Sequence, residues 1–164
     1  MNLSVAVSRD WGIGCDGDLL FRIKDDLKRF KQLTTGKVVV MGRKTLESLK
    51  DGRPLPNRIN IVLSRAAGLE IPGAVVCASV QEAREVLKDY PPEDVFIIGG
   101  GDIYLQFLED CRYAYVTKVD AAIDADTFFP NIDQMPQWQL VEESEKMAQD
   151  GLCYTFCLYV NEKL

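Results

Sequence analysis

The sequence predicts one mixed-sheet α/β domain, and three observations carry that reading. Continuous β-branched runs at residues 37–41 (KVVVM), 59–63 (INIVL) and 94–98 (DVFII) have the pattern of strands buried on both faces. Stretches with helical periodicity lie between them, so the chain begins as alternating β and α. Its end instead carries two strand-like stretches, 138–144 and 152–160, joined near Asp150-Gly151 as an antiparallel hairpin. With 164 residues, 47% of them hydrophobic, a single domain over 1–164 is expected, with enough apolar material for a core.

Composition removes several function classes. A net charge of −6 argues against a nucleic-acid scaffold, although local basic clusters can still hold anions. There is no histidine, which excludes Ser-His-Asp and Cys-His centres and any histidine-based metal site. Five cysteines without CxxC spacing, and no opening stretch that reads as a signal peptide, predict reduced thiols in a cytoplasm. No apolar run is long enough to span a membrane, and there is no repeat or low-complexity linker.

Residues 3–7 form an apolar opening strand. The following SRDWGIGCDGDLLF interleaves Gly12, Gly14 and Gly17 with Trp11, Ile13 and Leu19, which reads as a loop that covers something. Residues 21–33 (FRIKDDLKRFKQL) read as a helix. At about 100° per residue, with Asp26 at zero, Leu33 falls near roughly −20°, Phe30 near 40°, Ile23 near 60° and Leu27 near 100°. Lys24, Asp25, Lys28, Arg29, Lys31 and Gln32 fill the other side, so Asp26 is an acid inside an apolar stripe. An unpartnered carboxylate there is costly, and a ligand is one partner that would offset it. Capping of first-turn amides is the other reading of such an Asp.

Thr34-Thr35-Gly36 ends that helix. The 37–41 strand then runs into Gly42-Arg43-Lys44-Thr45 and a helical LESL, a combination of free amides, charge and a hydroxyl suited to an anion. Asp51 to Arg58 is a proline-stiffened loop with two arginines. The 59–63 strand leads to Ser64-Arg65 at its carboxyl end, where α/β sheets place ligands. A strand at 75–78 precedes a helix with Ser79 as N-cap and Glu82 at its third position. The 94–98 strand meets Gly99-Gly100-Gly101 and a helix, DIYLQFLED, a second phosphate-type approach that lacks GxGxxG. Residues 113–119 alternate as a strand, and Asp124-Ala125-Asp126-Thr127 is a turn whose DxD spacing could hold a metal or simply turn the chain.

Taken together, VVVMGRKTLES, PLPNR, INIVLSR, VFIIGGGDIY and DADTFFP resemble the dihydrofolate reductases, bacterial chromosomal type, in order and spacing along nearly the whole chain. The resemblance implies a mostly parallel twisted sheet with helices on both faces and an antiparallel C-terminal hairpin. It implies reduction of 7,8-dihydrofolate to tetrahydrofolate with NADPH, in support of one-carbon metabolism, by a cytoplasmic monomer in which a 2,4-diaminopyrimidine antifolate such as trimethoprim would pair with Asp26. Asp26 would be the acid under the pterin, Thr117 its hydroxyl support, and Phe21 would stand at the catalytic position where most members compared carry the Trp of Pro-Trp. Val5, Ala6, Leu27, Phe30, Lys31, Leu49, Leu55 and Ile98 would line the substrate pocket, with Arg58 clamping a carboxylate. Ala6, Ile13, Gly14, Leu19, Ile98 and Tyr104 would face the nicotinamide side. Gly42, Arg43, Lys44, Thr45, Leu63, Gly99, Gly100, Gly101, Asp102, Ile103 and Thr127 would hold the rest of the cofactor, with Arg43, Ser64 and Arg65 reading the 2′-phosphate. The Gly99–Gly100 peptide is expected cis, and Asp126 is expected to pin the covering loop near Cys15. A reductase acting on another ring, or a non-catalytic NADPH sensor, are the competing readings; Asp26, Phe30 and Arg58 favour folate.

Overall fold

Side-chain alternation along the β-branched runs explains the layers. The computed structural model describes residues 1–164. In β4 (Val38–Gly42), Val38 and Val40 enter one apolar core while Val39 and Met41 enter a second on the opposite face. β5 (Ile59–Leu63) and β7 (Val95–Gly99) divide the same way, with Ile61, Leu63, Val95 and Ile97 on one side and Val62 and Phe96 on the other. A strand apolar on both faces needs cover on both. α3 (Val80–Leu87) and α4 (Gly101–Phe107) supply Ala83, Leu87, Ile103 and Phe107 to the larger core. α1 (Lys24–Thr34) and α2 (Arg43–Ser48) supply Leu33 and Leu46 to the other. Each fully buried Val or Met contributes about 1.5–3 kcal/mol.

The main sheet runs β10-β12-β8-β1-β7-β4-β5-β6. From β8 (Tyr113–Val119) through β1 (Asn2–Val7) to β6 (Ala74–Cys77) every pairing is parallel. β12 (Leu152–Asn161) joins β8 antiparallel and carries both β10 (Trp138–Glu143) and β11 (Met147–Gln149). The expected antiparallel ending is present, but the tight turn at Asp150-Gly151 belongs to β11 and β12. Both turn residues have positive φ, the geometry an Asp-Gly hairpin favours.

Two expectations are corrected. The first helix begins at Lys24, not Phe21: Phe21 and Ile23 are buried while Arg22 between them is exposed, an extended alternation. Those two side chains pack with Val119 and Tyr154, and that burial outweighs continued helix. The glycine-rich covering stretch is also not a plain loop. It holds β2 (Gly12–Cys15) and β3 (Asp18–Leu19), joined by Asp16-Gly17 with both φ positive and paired to β9 (Thr127–Phe128) as a small second sheet.

Candidate active site

A cleft of about 1080 Å³ opens at the carboxyl ends of β1, β4, β5 and β7, where a mostly parallel sheet leaves room between its connections. α1 forms one wall. Its apolar stripe is not sealed against the sheet: Leu27 is 45% exposed and Phe30 is half-buried, and both line the cleft with Asp26. The part of the stripe around Asp26 therefore faces a cavity, while Ile23 and Leu33 pack into apolar clusters.

Asp26 is half-buried, and the buried Thr117 Oγ1 donates to its Oδ1 at 2.5 Å. Thr117 reaches it from the middle of β8, so the acid rests against the sheet. Burial pushes the Asp26 carboxyl above the usual carboxylate range, opposed by the Thr117 hydrogen bond and the charge of Arg29. Thr117 itself lies behind Asp26 and is not part of the wall.

Val5, Ala6, Phe21, Leu49 and Ile98 complete the apolar half of the cleft. Phe21 brings no polar atom, so it shapes the wall and cannot orient water by hydrogen bonding. Lys31, Leu55 and Arg58 lie outside the wall proper. Lys31 is exposed, and Leu55 extends the apolar surface beyond Leu49 in the cluster that includes Leu33. Arg58 is held in place, donating from Nη1 to Thr34 Oγ1 at 3.1 Å and from Nε to the Pro56 carbonyl at 2.9 Å. Its Nη2 has no protein partner.

Besides Ala6 and Ile98, already named, every residue expected around a cofactor lines the cleft, from Ile13, Gly14 and Leu19 through the Gly42 and Ser64-Arg65 segments to Gly99, Tyr104 and Thr127, and these make up its other half. Neither α2 nor α4 has a side-chain cap, so their first-turn amides are left to a ligand or solvent. Arg43, Lys44, Thr45 and Arg65 face this half, and Arg43 also pairs with Glu47 at 3.1 Å. The Gly99–Gly100 peptide is cis, as expected. A Cβ on Gly99 would stand 3.4 Å from Thr45 Oγ1, and one on Gly101 2.8 Å from Thr127 Cγ2, so side chains there would crowd the passage. Amides, cations and hydroxyls beside an apolar pocket fit a nicotinamide dinucleotide with an extra phosphate. Tyr104 is fixed by donating to the Ser4 carbonyl at 2.6 Å, and burial pushes its hydroxyl pKa up.

The small sheet covers this half. Asp126 Oδ2 accepts from the Asp16 amide at 2.9 Å, fastening the β2–β3 hairpin, as expected. Cys15, Asp16 and Asp126 bring donor atoms within 4.8 Å of one another, but that carboxylate is already engaged by the Asp16 amide and by the Thr127 hydroxyl. Sequence reasoning missed Asp18, Phe128 and Gln106 in the wall and set Arg29 on the solvent side. The Asp16-Gly17 turn was the signal for the first of these; nothing local marks the others.

The family model for dihydrofolate reductase matches residues 1–161. The chain belongs to the dihydrofolate reductase family. It is 37% identical over 149 residues to the dihydrofolate reductase of Bacillus subtilis, covering 90% of this chain and 86% of the relative. It is 38% identical over 160 residues to the type 3 dihydrofolate reductase of Salmonella typhimurium, covering 98% and 95%. It is also 40% identical over 177 residues to bifunctional dihydrofolate reductase-thymidylate synthase 2 of Arabidopsis thaliana, covering 97% of this chain and 31% of that protein. The chain thus spans about a third of the length of its bifunctional relatives. Enzymes of the dihydrofolate reductase family take NADPH as cofactor, and the donor set described above suits that molecule.

Proposed function

We propose that this chain reduces 7,8-dihydrofolate to tetrahydrofolate with NADPH, and so supports one-carbon metabolism. The observation that carries the reading is Asp26: an acid in an apolar wall, supported from behind by Thr117 and open to the cleft. Reducing a C=N bond takes a hydride and a proton, and NADPH supplies the hydride when bound. Asp26 is the one acid between the apolar half of the cleft and the sheet, so it is the group to hold the ring's polar edge and carry the proton. Leu27, Phe30 and Leu49 would exclude water around the ring, Phe21 would close the wall, and Arg58 would offer its remaining N–H groups to a carboxylate beyond the pocket mouth. Lys31 and Leu55 would border the same mouth. Arg43, Lys44, Thr45, Ser64 and Arg65 would hold phosphates, with Arg65 set to favour NADPH over NADH.

The cleft is complete within one chain, which fits a monomer. No helix is long and apolar enough to cross a membrane; a cytoplasmic enzyme is part of the same proposal, alongside the five free cysteines.

The test is NADPH oxidation in the presence of dihydrofolate, for the parent and for Asp26→Asn. Turnover in the parent with a loss of about 10²-fold or more in the variant is expected, the range a positioned acid supplies. NADPH binding without turnover in the parent would point instead to another ring or to a sensor.

A further inference from the structure

Arg29 is spent on nothing that the fold requires of a charge. It follows Asp26 by three residues on α1, so the two side chains share one side of the helix. Its guanidinium is half-buried against the sheet, 4.4 Å from the centroid of the Phe156 ring and 5.5 Å from that of Tyr115. The molecule has eight ion pairs and Arg29 is in none of them. It makes no side-chain hydrogen bond. Aromatic faces hold a cation without neutralising it, whereas a carboxylate at contact would cancel most of its field.

The groups around Asp26 leave that field unanswered. From β8, Thr117 donates a hydrogen bond to it. From α4, Tyr104 is tied to the Ser4 carbonyl. From β12, Tyr154 donates to Asp25 Oδ2 at 2.6 Å, which occupies the neighbouring carboxylate. Tyr115, Cys157 and Glu142 lie toward Arg29 itself. Arg29 is the one cation acting on Asp26, and it opposes the upward push of burial on that carboxyl.

We propose that Arg29 is a positioning residue that acts through Asp26: an unpaired cation, stored on aromatic faces, that sets the pH at which the Asp26 carboxyl exchanges its proton. The role of this exchange in catalysis rests on the function proposed above; the electrostatic coupling does not. With the charge removed, Asp26 stays protonated to higher pH. A merely structural role for Arg29 predicts lower activity on substitution. The coupling predicts the opposite in alkaline solution, where the protonated acid is scarce.

The experiment is a carboxyl-carbon NMR titration of Asp26 in the ligand-free protein, for the parent, Arg29→Met and Arg29→Lys, paired with the pH profile of hydride transfer in single turnover. Arg29→Met is expected to raise the Asp26 midpoint by about 0.5–1 unit, the reach of one half-exposed charge. At pH above both midpoints its hydride transfer is then faster by roughly three- to tenfold. Arg29→Lys keeps the charge and is expected to keep the parent midpoint. A midpoint unmoved in Arg29→Met, or moved equally in Arg29→Lys, overturns the proposal. Should Arg29→Met fail to fold, Arg29→Gln keeps a planar head and carries the same test. If the midpoint moves as expected while the parent shows no reductase activity, the coupling stands and the proposed function falls.

Discussion

Asp26 occupies a place on α1 where an apolar side chain would cost the fold less. Its carboxyl is raised by burial, so folding favours its protonated form. The stability linked to that raised value is fully present below the unfolded carboxylate range, near pH 4, and is lost as pH rises through the folded value. At neutral and alkaline pH the ionised acid therefore weighs against the fold. Asp26→Asn is expected to melt higher than the parent at pH 8, by about 2–4 °C for each kcal/mol recovered, with the gap closing toward pH 4. Thermal unfolding at the two pH values checks this, and a variant less stable than the parent at pH 8 would contradict the assigned burial. Asp26 was legible in the sequence because one acid interrupts an otherwise apolar stripe. Arg29 was not, since helical periodicity alone cannot tell solvent from a neighbouring aromatic face.

At the scale of elements, the site depends on how α1 and the β2–β3 hairpin are tied down. α1 starts without a cap of its own, and Gln149 Oε1 from β11 accepts from the Asp25 amide at 3.0 Å. With the Tyr154 to Asp25 bond, the C-terminal strands hold the end of the helix that carries Asp26. The β2–β3 hairpin hangs on Asp126. Asp126→Ala is expected to leave the overall fold intact and slow hydride transfer on the order of tenfold, the value of one charge-assisted hydrogen bond lost from the closed arrangement. Parent-like single-turnover rates would show that the hairpin closes without it. The strands of this small sheet escaped sequence reasoning because each has two to four residues. β2 and β3 pair with each other across the Asp16-Gly17 turn, but β2's other partner, β9, lies more than a hundred residues away, and no local pattern reports that.

For the whole molecule, the net charge of −6 contrasts with the cations gathered on the cofactor half of the cleft. A phosphate-rich ligand binding there stabilises the folded state by mass action. NADPH at about 100 times its dissociation constant should add about 2.7 kcal/mol, or roughly 5–10 °C in melting temperature. NADH at the same concentration should add less, and Arg65→Ala should bring the two shifts together. Equal shifts in the parent would remove Arg65 as the reader of the extra phosphate. The cleft itself follows from topology. Parallel strands send their connections to one end, and β7 breaks register with β4 between Val40 and Met41, just where Ile98 and the glycines enter the wall.

By itself the sequence determined the strand runs, the two glycine-to-helix approaches and the misplaced acid, because β-branched runs, glycine and helical period are local signals. The order and spacing of its motifs were enough to place it beside the dihydrofolate reductases. Only the tertiary structure decided that Asp26, Leu27 and Phe30 of α1 face a cavity, that Thr117 lies behind Asp26, that Arg58 is held at the edge by Thr34, and that Arg29 rests unpaired on Phe156 and Tyr115. Each of these joins residues distant in the chain. Their energies come from burial and from charges meeting across elements, which no window along the sequence contains.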